Sequence, residues 1–441
     1  MSSNRYRAVL LRRSPALVAL GATAAIAAAA WPGVARAAEP SASRPGTGNV
    51  VVEWNHALLS AVQTPGAEPA TIHPTRAFAI MSLAVLDAVD AVSSEPAPHP
   101  LRFNVGRRAA QDAAAAQAAH DVLTALFPTL TEAHDAELAA DLAAIPPGYW
   151  RTAGTRLGAH AAADVLRARA DDGSSATAPP YQSTGDPGDY RPTPPDEAAP
   201  VFTHWAAVRP FVLRDGSQFR PPPPPALSSP AYAAAVNEVK GLGQDHSTTR
   251  TSEQTTIGRF WSAPIQNYWN AIAEQVALAH HDSTAASART FALLDIGLAD
   301  TTIALYDAKY AFRLWRPISA IRLAGTDGNA QTTADQAWTP LAGTPADPSY
   351  PGAHSALSAA AATILAFAYG DASFTVSSPT LPGVTRSFAS FDDAAAEAGL
   401  SRIYAGVHTR LDHTSGLTLG SHVARYTLGN APINALGRNH E

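Results

Sequence analysis

The sequence predicts an all-α protein, a helical bundle whose helices are joined by long Pro-rich loops. Three observations carry this. Apolar residues recur three and four apart through much of the chain, the spacing of one helix face. Strict apolar–polar alternation is scarce, and only residues 375–377 suggest a short strand. Pro numbers 36 and Gly 29 among 441 residues, and such residues gather in connections rather than in helix interiors. At roughly 150 residues per domain the length allows about three domains, and one large helical domain or two fit as well. Hydrophobic residues make up 46%, enough to bury a sizeable core.

Arg7, Arg12 and Arg13 precede an uncharged stretch over 14–30, and Ala35, Arg36 and Ala37 form a small-x-small cleavage pattern. This charge–apolar–cleavage layout predicts an export signal over residues 1–37. A lone membrane anchor ranks second, because the stretch is rich in Ala rather than Leu or Phe. The Arg12-Arg13 pair hints at twin-arginine export. The mature protein is expected to be soluble and secreted or periplasmic.

Residues 38–50 read as a Ser/Pro/Gly linker and 51–170 as an amino-terminal helical region. There Phe78, Met81, Val85 and Val89 share one helix face, and Pro74 suits a first turn. A second helical block, 149–170, follows Pro146-Pro147. Residues 171–227 form a Pro/Gly-rich connection ending in the proline run 221–225, which must be extended. It is either a plain linker or a wrap that borders a pocket. The carboxy-terminal helical region is 228–441, with one stripe at Trp269, Ile272, Val276 and Ala279 and another at Phe291, Leu294, Leu298 and Leu305. Beyond the leader nothing reads as a membrane span, which needs about 20 mostly apolar residues. The nearest stretch, 355–369, reads as a short buried helix.

Lys plus Arg is 31 and Asp plus Glu 37, a net charge of −6. That mild balance excludes whole-chain binding to nucleic acid, which needs a basic surface. It leaves room for a locally basic pocket. The absence of Cys excludes disulfides, thiolate zinc sites, iron–sulfur clusters and Cys nucleophiles.

Three segments stand out against this charge-poor background (15% charged). The first, 309–322, holds four cations. Lys309 and Arg316 are seven apart, two helical turns, so both are expected to point the same way, with the helix ending near Arg316 because Pro317 follows. A solvated basic face is the plain alternative, but Phe312, Leu314 and Trp315 make the segment partly buried, and buried cations are paired or bind an anion. The second segment is Tyr350-Pro351-Gly352-Ala353-His354-Ser355, the start of an apolar helix whose open N–H groups can bind an oxyanion. A capping turn with an incidental His fits equally. The third is Ser401-Arg402-Ile403-Tyr404-Ala405-Gly406-Val407-His408, followed by Asp412. On a helix Asp412 shares the face of His408 and can fix its tautomer; a buried His–Asp pair with a surface Arg is the plain alternative. A metal site using His408, Asp412 and His413, with His280, His281 or Asp282, is also open, although it gives no role to Lys309, Arg316 and Arg402. Three cations, a helix-end amide nest and two histidines together suit a tetrahedral oxyanion with a covalent partner.

The set Lys309-x6-Arg316-Pro317, Pro351-Gly352-Ala353-His354 and Ser401-Arg402-x3-Gly406-x-His408-x3-Asp412 resembles the three-part signature of the type 2 phosphatidic acid phosphatase (PAP2) and vanadium haloperoxidase superfamily. The likeness is nearest to its soluble haloperoxidase-like branch, through Trp315 to Arg322, Tyr350 to Ser355 and Asp392 to His408. It is strong over 255–425 and weak over 170–230. The resemblance implies a helical bundle of that type. It implies that Lys309, Arg316 and Arg402 hold the equatorial oxygens of vanadate, or of phosphate in the same site, with Gly352 and Ala353 completing the cofactor-binding set. His408 is the implied vanadium ligand, or the nucleophile of a phosphatase. Asp412 is implied to orient it and His354 to handle protons.

One position departs from the pattern. Gly352 stands where the superfamily usually has a Ser whose hydroxyl donates to the oxyanion, a bond worth about 1.5–3 kcal/mol. The N–H of Gly352 or Ala353 could substitute; Ser355 follows the His and should point elsewhere. The expected function is halide oxidation with hydrogen peroxide at a His-bound vanadate, with an organic acceptor. An acid phosphatase acting on phosphate esters through a phospho-histidine is the alternative, and an inactive oxyanion-binding homologue the third. Tyr306 and Asp347 are read as structural or merely adjacent.

Overall fold

The computed structural model describes residues 48–94 and 103–431, with only the backbone described at 103–105. The expected export signal and most of the linker lie outside the described residues. The amino-terminal region supplies α1 (Val50–Gln63), α2 (Thr75–Ser94), α3 (Phe103–Leu126), α4 (Thr131–Ala144) and α5 (Tyr149–Arg169). After the long connection come α6 (Pro230–Leu242), α7 (Ser252–Phe260), α8 (Ile265–Ala279), α9 (Thr284–Phe312), α10 (Pro317–Arg322), α11 (Ala353–Tyr369), α12 (Phe391–Tyr404) and α13 (Arg410–Asn430). Among the described residues one antiparallel hairpin, β1 (Phe374–Ser377) with β2 (Thr385–Phe388), interrupts the helices, with Phe374 opposite Phe388. The all-α expectation and the short strand near 375–377 both hold.

Polar caps start several helices. Asn49 accepts the N–H groups of Val51 and Val52 at α1, Ser229 caps α6 ahead of Pro230, and Thr251 with Gln254 forms a capping box at α7. The central element is α9. Its 29 residues extend about 44 Å, and it packs on α2 to one side and on α11 and α13 to the other. The stripe at Phe291, Leu294, Leu298 and Leu305 is buried, but so is nearly every other residue from Ser287 to Ala308. The helix is apolar all round because it is enclosed all round. In the α8 stripe Trp269, Ile272 and Val276 are buried, whereas Ala279 is exposed at the helix end.

By length and composition α2 could cross a membrane: 20 residues with mean hydropathy 1.6 over its most apolar part. The sequence reading had passed over it. It is two-thirds buried, packed by α3, α5 and α9.

The Pro/Gly-rich stretch 171–227 is tied down along its length. Asp172 accepts from Arg76 Nε (2.8 Å) and Arg169 Nε (3.0 Å) where the chain leaves α5. Asp300, buried on α9, accepts the N–H groups of Phe211, Val212 and Leu213 at 2.7, 2.7 and 2.9 Å. In between, Tyr190 N–H donates to Arg313 O and Trp315 N–H to Gly188 O. The connection therefore wraps the bundle and runs beside the chain that carries Arg316.

Where α13 crosses α11 the backbones nearly touch. A Cβ on Gly416 would lie 2.5 Å from Gly352 O, and one on Gly420 would lie 1.9 Å from Ala356 O. Hydrogen at both positions lets the two helix starts meet. That approach sets the distance between the second and third chemical segments.

Candidate active site

Lys309 occupies the last turn of α9 and is fully buried. The helix stops three residues later because Arg313 turns left-handed (φ 54°), its N–H bonding to Lys309 O. The expected single helix carrying Lys309 and Arg316 is thus corrected: they lie on opposite sides of a helix break. Arg316 is extended and caps α10, whose first residue is Pro317.

What brings the two cations together is Asp347. Arg316 donates Nη2 to Asp347 Oδ1 and Nε to Asp347 O at 2.7 Å. Lys309 Nζ lies 3.7 Å from Asp347 Oδ2 and donates to the carbonyls of Pro348 and Ser349. Asp347 therefore belongs to the site, contrary to the reading that set it aside as merely adjacent. The Tyr306 phenol faces the same carboxylate. An acid in an aperiodic Pro-rich loop offers no pattern to read; its position five residues before Gly352 was the available signal.

The third segment supplies His408 and Arg402. Gly406, with φ 80°, reverses the chain after α12. His408 lies in this loop and Thr409 caps α13, so His408 and Asp412 do not share a helix as expected. They meet because Asp412 is the third residue of α13 and its side chain folds back as a capping box. Its Oδ2 accepts from Thr409 N–H (2.7 Å), Ser349 Oγ–H (2.7 Å) and His408 Nδ1–H (3.2 Å). With the proton on Nδ1, Nε2 of His408 carries a lone pair. It accepts from Arg316 Nη1 at 3.1 Å, a donor shared with Val407 O at 2.9 Å.

Gly352 caps α11 and Ala353 opens it. The Gly352 N–H is already bonded to Asp412 O at 2.9 Å, so it does not replace a Ser hydroxyl. No side chain caps this helix, which leaves the amides of its first turn, Ala353's foremost, as the donors there. A Cβ on Gly352 would sit 3.2 Å from Asp412 O, so glycine suits the close approach of α13. Ser355 points away, bonded to His413 Nδ1 at 2.9 Å. His354 donates Nε2–H to Trp261 O at 2.9 Å, which frees its Nδ1 as an acceptor.

Burial, with the Arg316 charge adding to it, lowers His408 to about 3. Burial and the Arg402 charge hold His354 well below the usual imidazole range. Both rings are neutral at physiological pH. Burial lowers Lys309 to about 8 against the pull of Asp347. Burial and the repulsion of Arg316 lower Arg402 to about 10. Burial pushes Asp347 and Asp412 up, but Lys309 and Arg316 outweigh it at Asp347, and the donors from His408, Thr409 and Ser349 outweigh it at Asp412. Both stay ionised.

Three buried cations thus face two carboxylates, an excess of one positive charge. The excess falls on Arg402. It is 5% exposed, its Nε has no partner, and its Nη1 reaches only Trp261 O at 3.5 Å. A buried guanidinium with unused donors costs several kcal/mol unless an anion joins it. A singly charged oxyanion matches this excess in charge and these donors in chemistry. The alternative metal set is not assembled: Asp282 bonds Tyr369 at the far end of α11, about 24 Å along the helix from Ala353. Among the described residues no three His, Asp or Glu gather as metal ligands.

A family model of the VCPO second helical-bundle domain matches residues 289–432, a span that holds Lys309, Arg316, Asp347, His354, Arg402, His408 and Asp412. This span is similar to the second helical-bundle domain of the vanadium chloroperoxidases. A vanadium chloroperoxidase from Curvularia inaequalis is 28% identical over 166 residues, 30% of this chain and 26% of that protein, so the match spans about a quarter of the relative's length. Among solved structures, a bacterial vanadium-dependent iodoperoxidase superposes with TM-score 0.71 at 24% identity, covering 86% of this chain and 95% of that one. A bacterial vanadium-dependent chloroperoxidase in its holo form gives 0.64 at 17% identity, covering 86% and 96%. These two likenesses establish a shared helical-bundle fold. The matched span contains all three chemical segments, while the roles of its residues rest on the geometry above.

Proposed function

We propose that this protein is a vanadium-dependent haloperoxidase that oxidises halide with hydrogen peroxide. The observation that carries the reading is the Arg402 guanidinium, buried with donors unused, with both its charge and His408 acting on His354. Lys309, Arg316, Arg402 and the first amides of α11 would hold vanadate there, with His408 Nε2 as its protein ligand. Bound vanadate supplies a Lewis-acidic centre that activates peroxide. The chain does the rest. Asp412 keeps the His408 proton on Nδ1. Arg402 and Lys309 offset negative charge, and their burial strengthens the effect. His354 offers an unprotonated Nδ1, and a neutral imidazole in reach of the site can take a proton from hydrogen peroxide.

A phosphomonoesterase is the second reading, favoured by the Asp412–His408 pair, which equally prepares Nε2 to attack phosphorus. It needs an acid for the departing alcohol. The only N–H of neutral His354 is committed to Trp261 O, so the geometry supports the peroxidase more. Export follows as part of the proposal, from Arg7, Arg12, Arg13 and the Ala35-Arg36-Ala37 pattern.

Purified protein supplied with vanadate, hydrogen peroxide and bromide or iodide should halogenate a phenol-red acceptor, and without vanadate it should leave nitrophenyl phosphate intact. Phosphate release without halogenation would support the second reading. Neither activity in folded protein would leave an inactive oxyanion-binding homologue.

A further inference from the structure

We propose that Asp347 is a built-in counter-anion, holding the place of a ligand on Arg316 and thereby weakening oxyanion binding at the site. The inference rests on the oxyanion reading given above. Asp347 is buried, and it takes Nη2 of Arg316 through its carboxylate and Nε through its carbonyl. Those two nitrogens form the edge with which a guanidinium grips two oxygens of an anion. The remaining Nη1 is spent on Val407 O and His408 Nε2. Arg316 is thus saturated inside the protein, whereas Arg402 is not. The second carboxylate oxygen of Asp347 lies 3.7 Å from Lys309 Nζ, so one side chain draws on two of the three cations.

An arriving oxyanion must take Arg316 from Asp347, since two like charges side by side in a dry pocket repel strongly. The cost of that exchange is subtracted from the affinity. Asp347 also keeps Lys309 and Arg316 together within the protein itself. Neutralising it should release both cations to the ligand.

Isothermal titration of the purified full chain with inorganic phosphate and with orthovanadate tests this. Wild type, Asp347→Asn, Asp347→Ala and Arg402→Ala would be compared, each checked for folding by circular dichroism. Both Asp347 variants should bind each anion about ten-fold tighter or more, and Arg402→Ala should bind more weakly than wild type. Unchanged or weaker affinity in a folded Asp347 variant, while wild type binds and Arg402→Ala does not, overturns the proposal and leaves the oxyanion reading standing. Binding by none of the four proteins overturns both. A phosphate-bound crystal structure of the wild type gives an independent check: the Arg316–Asp347 contact should be broken, and its persistence beside the bound anion contradicts the proposal.

Discussion

His354 and Arg402 are joined through a single carbonyl oxygen, that of Trp261. The imidazole donates Nε2–H to it at 2.9 Å, and the guanidinium reaches it with Nη1 at 3.5 Å. The carbonyl fixes the tautomer of the first and leaves the second mostly unused. A proton acceptor and an unsatisfied cation are therefore held on one backbone support.

Arg402→Met should raise the stability of the ligand-free protein while removing oxyanion binding. Replacing a buried unpaired charge by an apolar side chain of similar length relieves desolvation, an effect of about 1–4 kcal/mol. Thermal melts with and without vanadate check it: a higher melting temperature without ligand and no ligand-induced rise. A lower melting temperature would show that Arg402 is already neutralised.

Asp412→Ala should lower stability by about 3–5 kcal/mol, because three buried donors lose their acceptor and α13 loses its cap. Urea denaturation measures it. The same variant should lose halogenation, since nothing then fixes the His408 proton on Nδ1; retained activity would contradict the orienting role.

The protein should lose stability as the pH falls below about 6.5. His408 is buried and His73 half-buried, and desolvation is the main cause that lowers their folded pKa values to about 3 and about 4. A lowered folded pKa means that the unfolded chain binds the proton first. The stabilisation from each ring is complete above the unfolded pKa and is lost as pH falls toward the folded one, by about 1.4 kcal/mol per pH unit each. Asp347 and Asp412, also lowered, extend the loss below about pH 4. Melting temperatures from pH 8 to pH 4 should be flat at first and then fall; a rise on acidification would contradict the neutral histidines.

Gly352→Ser should cost about 1 kcal/mol of stability, because the new Cβ would sit 3.2 Å from Asp412 O and the two helix starts must part slightly. The added hydroxyl should tighten oxyanion binding by about ten-fold, the worth of one hydrogen bond to a charged group. Denaturation and titration of the same sample separate the two effects. A variant that binds no better would show the hydroxyl turned away from the site.

The helical class was legible because apolar spacing survives in α2, α8 and α9, and the connection 171–227 because proline excludes helix. The enclosure of α9 was not, since a helix buried all round has no polar face to mark it. The cations and histidines could be read from their residue types and spacing. Their mode of convergence could not. Lys309 and Arg316 looked like one helix face, yet the left-handed turn at Arg313 separates them, and Arg is not a residue that announces such a turn. His408 and Asp412 looked like helical neighbours and are a loop residue and a capping residue instead. Asp347 was passed over because its importance arises only when the loop 340–350 closes on Arg316.

The most direct test is a crystal structure of the full chain grown with vanadate. The account predicts one bound oxyanion against His408 Nε2, contacted by Lys309, Arg316 and Arg402. Full occupancy of vanadate elsewhere, or an empty site in protein that titrates with vanadate in solution, would contradict it.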